Sequence, residues 1–271
     1  MDKIKLVDSS FSHSVLGYSS DYQTSKLFTW DRTNIDINGN DLIVFTDSHI
    51  KSARNNKNSV GWIIEPVEIR PNLYSEIKNL KDNYLKIFTH EKTLIDLGHP
   101  FELLPFGCCW ITSEDQKIYN KTKNISIISS DKTQATGHKL RHSVISKFND
   151  KFDVYGRKYN PIKNKIDGLM DYRFSIVIEN CKRDYWFTEK LIDCLRTGTI
   201  PIYWGCPSIG DFFDIRGFIL FDDINDLENI LNNLTVEYYI SKLEYVKENF
   251  KLSENFILPD DLIYKKITLQ E

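Results

Sequence analysis

The sequence contains no apolar run long enough to cross a bilayer, and its opening stretch, MDKIKLVDSSFSH, is too poor in apolar residues for a secretory leader. Both absences predict a cytoplasmic chain without a transmembrane segment. Cysteine is scarce. Cys108, Cys109, Cys181, Cys194 and Cys206 are odd in number and lack the paired spacing of a zinc site or a redox motif, which fits a reducing compartment. No Gly-x-Ser-x-Gly elbow, P-loop, dinucleotide-binding glycine fingerprint or His-Glu-x-x-His motif occurs, so the function classes those motifs serve are not supported. His90 and His99 flank a predicted short helix without ligand spacing, and no metal site is expected. An excess of basic residues is also missing. The formal net charge of −3 leaves no broad cationic surface, so nucleic acid is not an expected partner.

What is present is an alternation of short apolar strands and amphipathic helices over 271 residues, enough for one large or two modest domains. Strands are predicted at Ile4–Val7, Asp41–Phe45, Val60–Ile64, Leu85–Phe88 and Phe101–Leu104. Pro71 opens a helix that carries Leu73, Ile77 and Leu80. The periodicity lapses between Gly107 and Lys123, which places a boundary between residues 1–115 and 116–271. The second pattern holds a strand at Ile125–Ile128, a helix from about His138 to Phe148 and a short strand at Phe152–Tyr155. Further along come a strand at Phe218–Phe221, a helix through Leu227, Ile230 and Leu234, and one through Tyr239, Leu243, Val246 and Phe250. Strands alternating with helices imply an α/β protein with parallel sheets.

The densest stretch is Tyr172–Pro207, YRFSIVIENCKRDYWFTEKLIDCLRTGTIPIYWGCP. Phe174, Ile176 and Ile178 alternate along a strand that ends at Glu179-Asn180. Thr188 can cap a helix whose first turn holds Glu189 and Lys190, and Thr197-Gly198 ends it before a second strand at Ile200–Trp204. Such a crossover unit places ligands beyond the carboxyl ends of its strands, so Glu179, Asn180, Glu189 and Lys190 should converge on one crevice.

The order FxxxxEN, TEK, TIPIYWGxPS resembles the donor-binding core of the bacterial α1,3/1,4-fucosyltransferases, glycosyltransferase family 10, closely over Tyr172–Ser208 and weakly to about Asp222. The resemblance implies a GT-B fold, two Rossmann-like domains facing a central cleft: an acceptor-side domain and a nucleotide-sugar donor domain. It implies an inverting enzyme that moves fucose from GDP-fucose, or a related nucleotide sugar, to a hydroxyl of a glycan acceptor. No cofactor is obligatory in such a scheme, although a divalent cation (Mn or Mg) can stimulate by screening diphosphate charge.

Arg141, in the helix after the first strand of the second domain, matches the arginine that binds the donor pyrophosphate. Its guanidinium is suited to gripping phosphate oxygens bidentately. Asn180 matches the asparagine of the FEN element, Glu189 the glutamate on the ribose, and Lys190 the lysine on phosphate. The family has tyrosine two residues before the TEK threonine. Trp186 stands there in this chain, which makes it a donor-binding candidate by position, and it offers one N–H donor and no acceptor. The general base of the family is a glutamate at the end of a first-domain strand, which makes Glu65, following Val60–Ile64, the candidate and Glu68 its rival. A transferase of the same fold with another sugar or acceptor, or a catalytically silent sugar- or nucleotide-binding module, are the alternatives.

Overall fold

The computed structural model describes residues 1–9, 17–18, 23–53 and 58–268. The chain divides into two compact units. Met1–Cys108, Arg183–Trp186 and Leu258–Glu271 make the first, and Cys109–Lys182 with Phe187–Ile257 the second. The chain therefore returns twice to the first unit after leaving it.

The first unit is built on six parallel strands, β1 (Asp2–Val7), β2 (Phe28–Asp31), β3 (Ile43–Thr46), β4 (Ser59–Trp62), β5 (Lys86–Thr89) and β6 (Phe101–Leu103), in the order β2-β1-β3-β4-β5-β6. Central strands of a parallel sheet are covered on both faces, which is why β3 reads as the unbroken run IVFT and is buried throughout. β2 has no such run. Its sequence FTWD alternates buried with exposed residues at the sheet edge, and the apolar pattern alone did not predict it. Helix α1 (Pro71–Leu80) starts on its proline and buries Leu73, Tyr74 and Ile77 in a cluster with Ile43, Phe45 and Ile87. The short α2 (Lys92–Ile95) follows β5.

In the second unit, β7 (Lys123–Ile128) leads into α3 (Thr136–Phe148), β8 (Asp153–Tyr155), β9 (Tyr172–Ile178), α4 (Glu189–Arg196), β10 (Ile200–Trp204) and β11 (Ile219–Leu220). These five strands are parallel and ordered β11-β10-β9-β7-β8. The chain steps outward from β7 to β8 and then returns to β9 on the other side, so strand order reverses between β7 and β9. In open α/β sheets that reversal opens a crevice beyond the carboxyl ends of the two strands. Ile125, Ile127, Phe174, Ile176, Ile200 and Ile202 fill the core beneath α3 and α5 (Ile224–Asn232).

The helix expected through Tyr239 and Phe250 is two helices, α6 (Val236–Ser241) and α7 (Leu243–Leu252). The Lys242 N–H closes back on the carbonyls of Ile240 and Tyr239, which interrupts the regular ladder between them. A last helix, α8 (Pro259–Thr268), belongs to the first unit and was absent from the sequence reading. All five cysteines are buried. No helix among the described residues is long and apolar enough to cross a membrane.

Candidate functional site

At the carboxyl end of β9 the backbone delivers Glu179 into the interior, where its carboxylate is fully buried. The Thr188 N–H donates to it at 2.8 Å and the Thr188 hydroxyl at 2.7 Å, so the residue that caps α4 is itself fixed by the strand. Lys190 is drawn into the same knot. Its Nζ donates to Thr188 Oγ1 at 3.0 Å and to Glu189 Oε1 at 3.1 Å, and lies 3.6 Å from Glu179 Oε2. A buried carboxylate with this set of partners is stable only while they remain. Removing one from such a knot costs about 3–5 kcal/mol.

Arg141 reaches the same strand end from α3. Its Nε donates to the Ile178 carbonyl at 3.0 Å and a terminal nitrogen donates to Asn180 Oδ1 at 2.6 Å. Arg141 thus ties the elements that follow β7 to those that follow β9, across the point of strand reversal. The guanidinium is buried, and burial pushes its pKa down while Glu179 and Glu189 pull it up. The close approach of α3 depends on Gly137: a Cβ there would fall 1.7 Å from the Glu179 carbonyl oxygen. The Gly137 N–H donates to the Asn180 carbonyl at 2.8 Å. His138, one residue on, accepts the Ala135 N–H on Nδ1 at 3.0 Å, and burial followed by the charge of Arg141 lowers its pKa to about 4.

Glu189 sits between two ammonium groups, Lys190 and Lys165, the second at 3.8 Å. Burial pushes its pKa up, but the two lysines and the hydrogen bonds from Lys190 and Thr188 prevail and bring it down to about 2. Lys165 also pairs with Asp193 at 2.6 Å and lies over the Trp110 ring, and with Lys190 it lines a small recess beside Ser175–Ile178. Asp193 Oδ1 accepts the Trp110 backbone N–H at 2.6 Å. The second unit therefore concentrates Arg141, Lys165 and Lys190 with Asn180 and Glu189 where α3 and α4 begin. The dipole of a helix start favours an anionic ligand, as the cations do.

Trp186 belongs to the first unit. It lies in the four-residue return to the first unit, is almost fully buried, and donates its indole N–H to the Ile64 carbonyl at 3.1 Å. Glu65 follows Ile64 beyond β4 and is half-buried. Glu68 is exposed and is gripped by Arg183, with Nη2 2.7 Å and Nε 2.9 Å from the same carboxylate oxygen. Among the described residues, no group of three or more His, Cys, Asp or Glu is arranged to hold a metal ion.

The sequence reading missed Lys165, which lies in a turn-rich connection and meets Glu189 only through the fold. It also missed Asp47, fully buried directly after β3, whose Oδ1 accepts the Ile64 N–H at 2.8 Å. That one had a signal, an acidic residue at the carboxyl end of an apolar strand, the same placement that singled out Glu65.

Residues 118–250 match the family described as glycosyltransferase family 10 (fucosyltransferase) C-term. A 74-residue segment is 36% identical to an alpha-(1,3)-fucosyltransferase of Helicobacter pylori and covers 27% of this chain and 15% of that protein. A 57-residue segment is 40% identical to GDP-fucose protein O-fucosyltransferase 3 of Bos taurus, covering 20% of this chain and 12% of that one. The matches thus span under a fifth of the length of these relatives. An α1,3-fucosyltransferase crystal structure with GDP superimposes with a TM-score of 0.57 at 15% identity, over 94% of this chain and 89% of the other. Two parallel-sheet α/β units in series and this likeness give the fold as GT-B.

Proposed function

We propose, for a chain whose residues 118–250 match glycosyltransferase family 10, that it transfers fucose from GDP-fucose to an acceptor hydroxyl with inversion at the anomeric carbon. The observation that carries the reading is the gathering of Arg141, Asn180, Glu189 and Lys190 at the strand-order reversal of the second unit. Transfer needs an anion holder, because the bond between the anomeric carbon and the β-phosphate oxygen breaks with both electrons going to GDP. Arg141 and Lys190 would take that charge, using guanidinium N–H donors beyond the two already engaged and the Lys190 ammonium. Glu189, kept ionised by its two lysines, would accept the ribose hydroxyls, and Asn180 would hold the arginine in register. On the acceptor side Glu65 would take the hydroxyl proton as the oxygen attacks. The scheme assigns no resident metal; Mn or Mg would help by screening the departing diphosphate.

Both relatives named above are fucosyltransferases by name, one of them with GDP-fucose and a protein acceptor in its name and the other with a linkage only, which supports the fucosyl donor more strongly than any one acceptor. A glycan hydroxyl is the acceptor favoured by the α1,3-fucosyltransferase likeness. The test is incubation with GDP-fucose and N-acetyllactosamine-type glycans, following GDP release and the anomeric proton of the product by NMR. Release of GDP with a fucosylated product of inverted configuration is expected. Turnover with UDP- or CMP-sugars in its place would discard fucose, and retention of configuration would discard the direct displacement.

A further inference from the structure

Beyond β4 the backbone at Ile64 and Glu65 is held in an unusual way. The β4 ladder stops, and after the Ile63 N–H donates to the Phe88 carbonyl at 2.9 Å the next peptide groups have side-chain partners. The N–H groups of Ile64 and Glu65 both donate to Asp47 Oδ1, at 2.8 and 3.3 Å. The Ile64 carbonyl accepts the Trp186 indole N–H at 3.1 Å, and the Glu65 carbonyl accepts the Tyr74 hydroxyl at 2.8 Å. Two donors and two acceptors of adjacent residues are thus bound by side chains from three separate segments: the end of β3, helix α1 and the 183–186 return. Pro66 adds a fourth constraint, because a proline restricts the residue before it to extended backbone.

Two of the three holding segments carry left-handed backbone at residues other than glycine. Asp47 has φ 40° and Tyr185, next to Trp186, has φ 58°. Such conformations persist only where the surroundings enforce them, and they cluster where geometry matters to function. A loop that needed stability alone could close on its own backbone. Binding every peptide group of one dipeptide fixes where the Cβ of residue 65 points, which is what a proton acceptor requires to meet a substrate hydroxyl. Trp186 is also packed in place, with its ring 6.2 Å from that of the buried His90.

We propose that Asp47, Tyr74 and Trp186 are positioning residues for Glu65, so that Trp186 serves the base of the first unit and not the nucleotide sugar. The inference rests on the reading of Glu65 as the base of a fucosyl transfer.

The full chain with Trp186→Phe, which keeps an aromatic ring and removes the N–H, is compared with wild type in three measurements: kcat and KM for GDP-fucose, GDP affinity by calorimetry, and amide hydrogen exchange at Ile64 and Glu65. The positioning shell predicts kcat lower by roughly 10- to 100-fold, unchanged GDP affinity, and faster exchange at those two amides while Val60–Trp62 stay protected. Tyr74→Phe, a milder change, should move kcat and exchange in the same direction and stands in if the tryptophan variant does not fold. Weaker GDP binding with kcat preserved would overturn the proposal by returning Trp186 to the donor site. Variants equal to an active wild type in kcat would overturn the positioning shell alone. A wild-type chain that neither binds GDP nor transfers fucose would instead overturn the transferase reading, and the role of Glu65 with it.

Discussion

Glu189 and Asp260 are both carboxylates withdrawn from water at the start of a helix, one in each unit, and their surroundings move them in opposite directions. Around Glu189 the ammonium groups of Lys190 and Lys165 outweigh burial and bring its pKa down to about 2. Around Asp260, in α8, burial prevails over the N–H of Trp30 at 2.6 Å and the N–H of Tyr18 at 3.1 Å and raises the pKa to about 6. The contrast extends to the sites themselves. The second-unit cluster is organised by charge, with cations and carboxylates holding one another until an anion arrives. The Ile64–Glu65 shelf of the first unit is organised by hydrogen bonds to backbone, which fix a position more than they bind a charge. One arrangement suits holding a diphosphate, the other suits presenting a single proton acceptor.

Removing the presented group should have the largest effect. Glu65→Gln is expected to lower kcat by roughly 10²–10⁴-fold, the range for a lost general base, while calorimetry finds GDP affinity unchanged. A parallel fall in GDP affinity would blur the division between the two sites. Lys190→Ala attacks the other side. GDP binding measured by calorimetry should weaken by about 2–5 kcal/mol, as for a lost buried charged contact, and unchanged affinity would remove Lys190 from the diphosphate site.

The opposite carboxylate shifts predict a pH signature. Because burial raises Asp260, the folded chain keeps a proton that the unfolded chain releases above the ordinary carboxylate range. Its contribution to stability is full below about pH 4 and is lost as pH rises through about 6, on the order of 3 kcal/mol in all. Glu189 has the reverse sign: its contribution is full above the ordinary range and is lost only as pH falls toward 2. Denaturant unfolding at pH 4 and 7 should therefore find wild type losing stability with rising pH relative to Asp260→Asn, which cannot ionise. Identical pH dependence in the two chains would contradict the assignment. The smallest expected effect is that of Glu68→Gln. It breaks an exposed ion pair with Arg183 worth about 1 kcal/mol or less, so kcat should change far less than in Glu65→Gln, and a comparable loss would exchange the roles of the two glutamates.

Most of the second unit was legible in the sequence because its signals are local. Alternation from Phe174 to Ile178, the Thr188 cap and the glycine after α4 each act within a few residues, and their order also carried the family resemblance. Helix α8 was legible too but unread: Pro259 opens it, Asp260 and Asp261 lie in its first turn, and Lys265 and Lys266 in its last. Edge strand β2 left little trace, since a half-exposed four-residue strand needs no apolar run. Trp186 could not be placed from sequence at all. Its neighbours Tyr185 and Phe187 are as apolar as it is, and nothing local tells which of them turns toward Ile64. The meeting of Lys165 with Glu189 is equally a product of the whole sheet, which brings a turn before β9 beside the helix after it.

The central claim is that the cluster at the reversal of the second sheet binds a guanosine diphosphate sugar, and calorimetric titration of the purified chain with GDP, GDP-fucose, UDP and CMP tests it most directly. Selective binding of GDP and GDP-fucose, weakened in Lys190→Ala, is the predicted result. Selective binding of UDP or CMP, or no nucleotide binding at all, would contradict it.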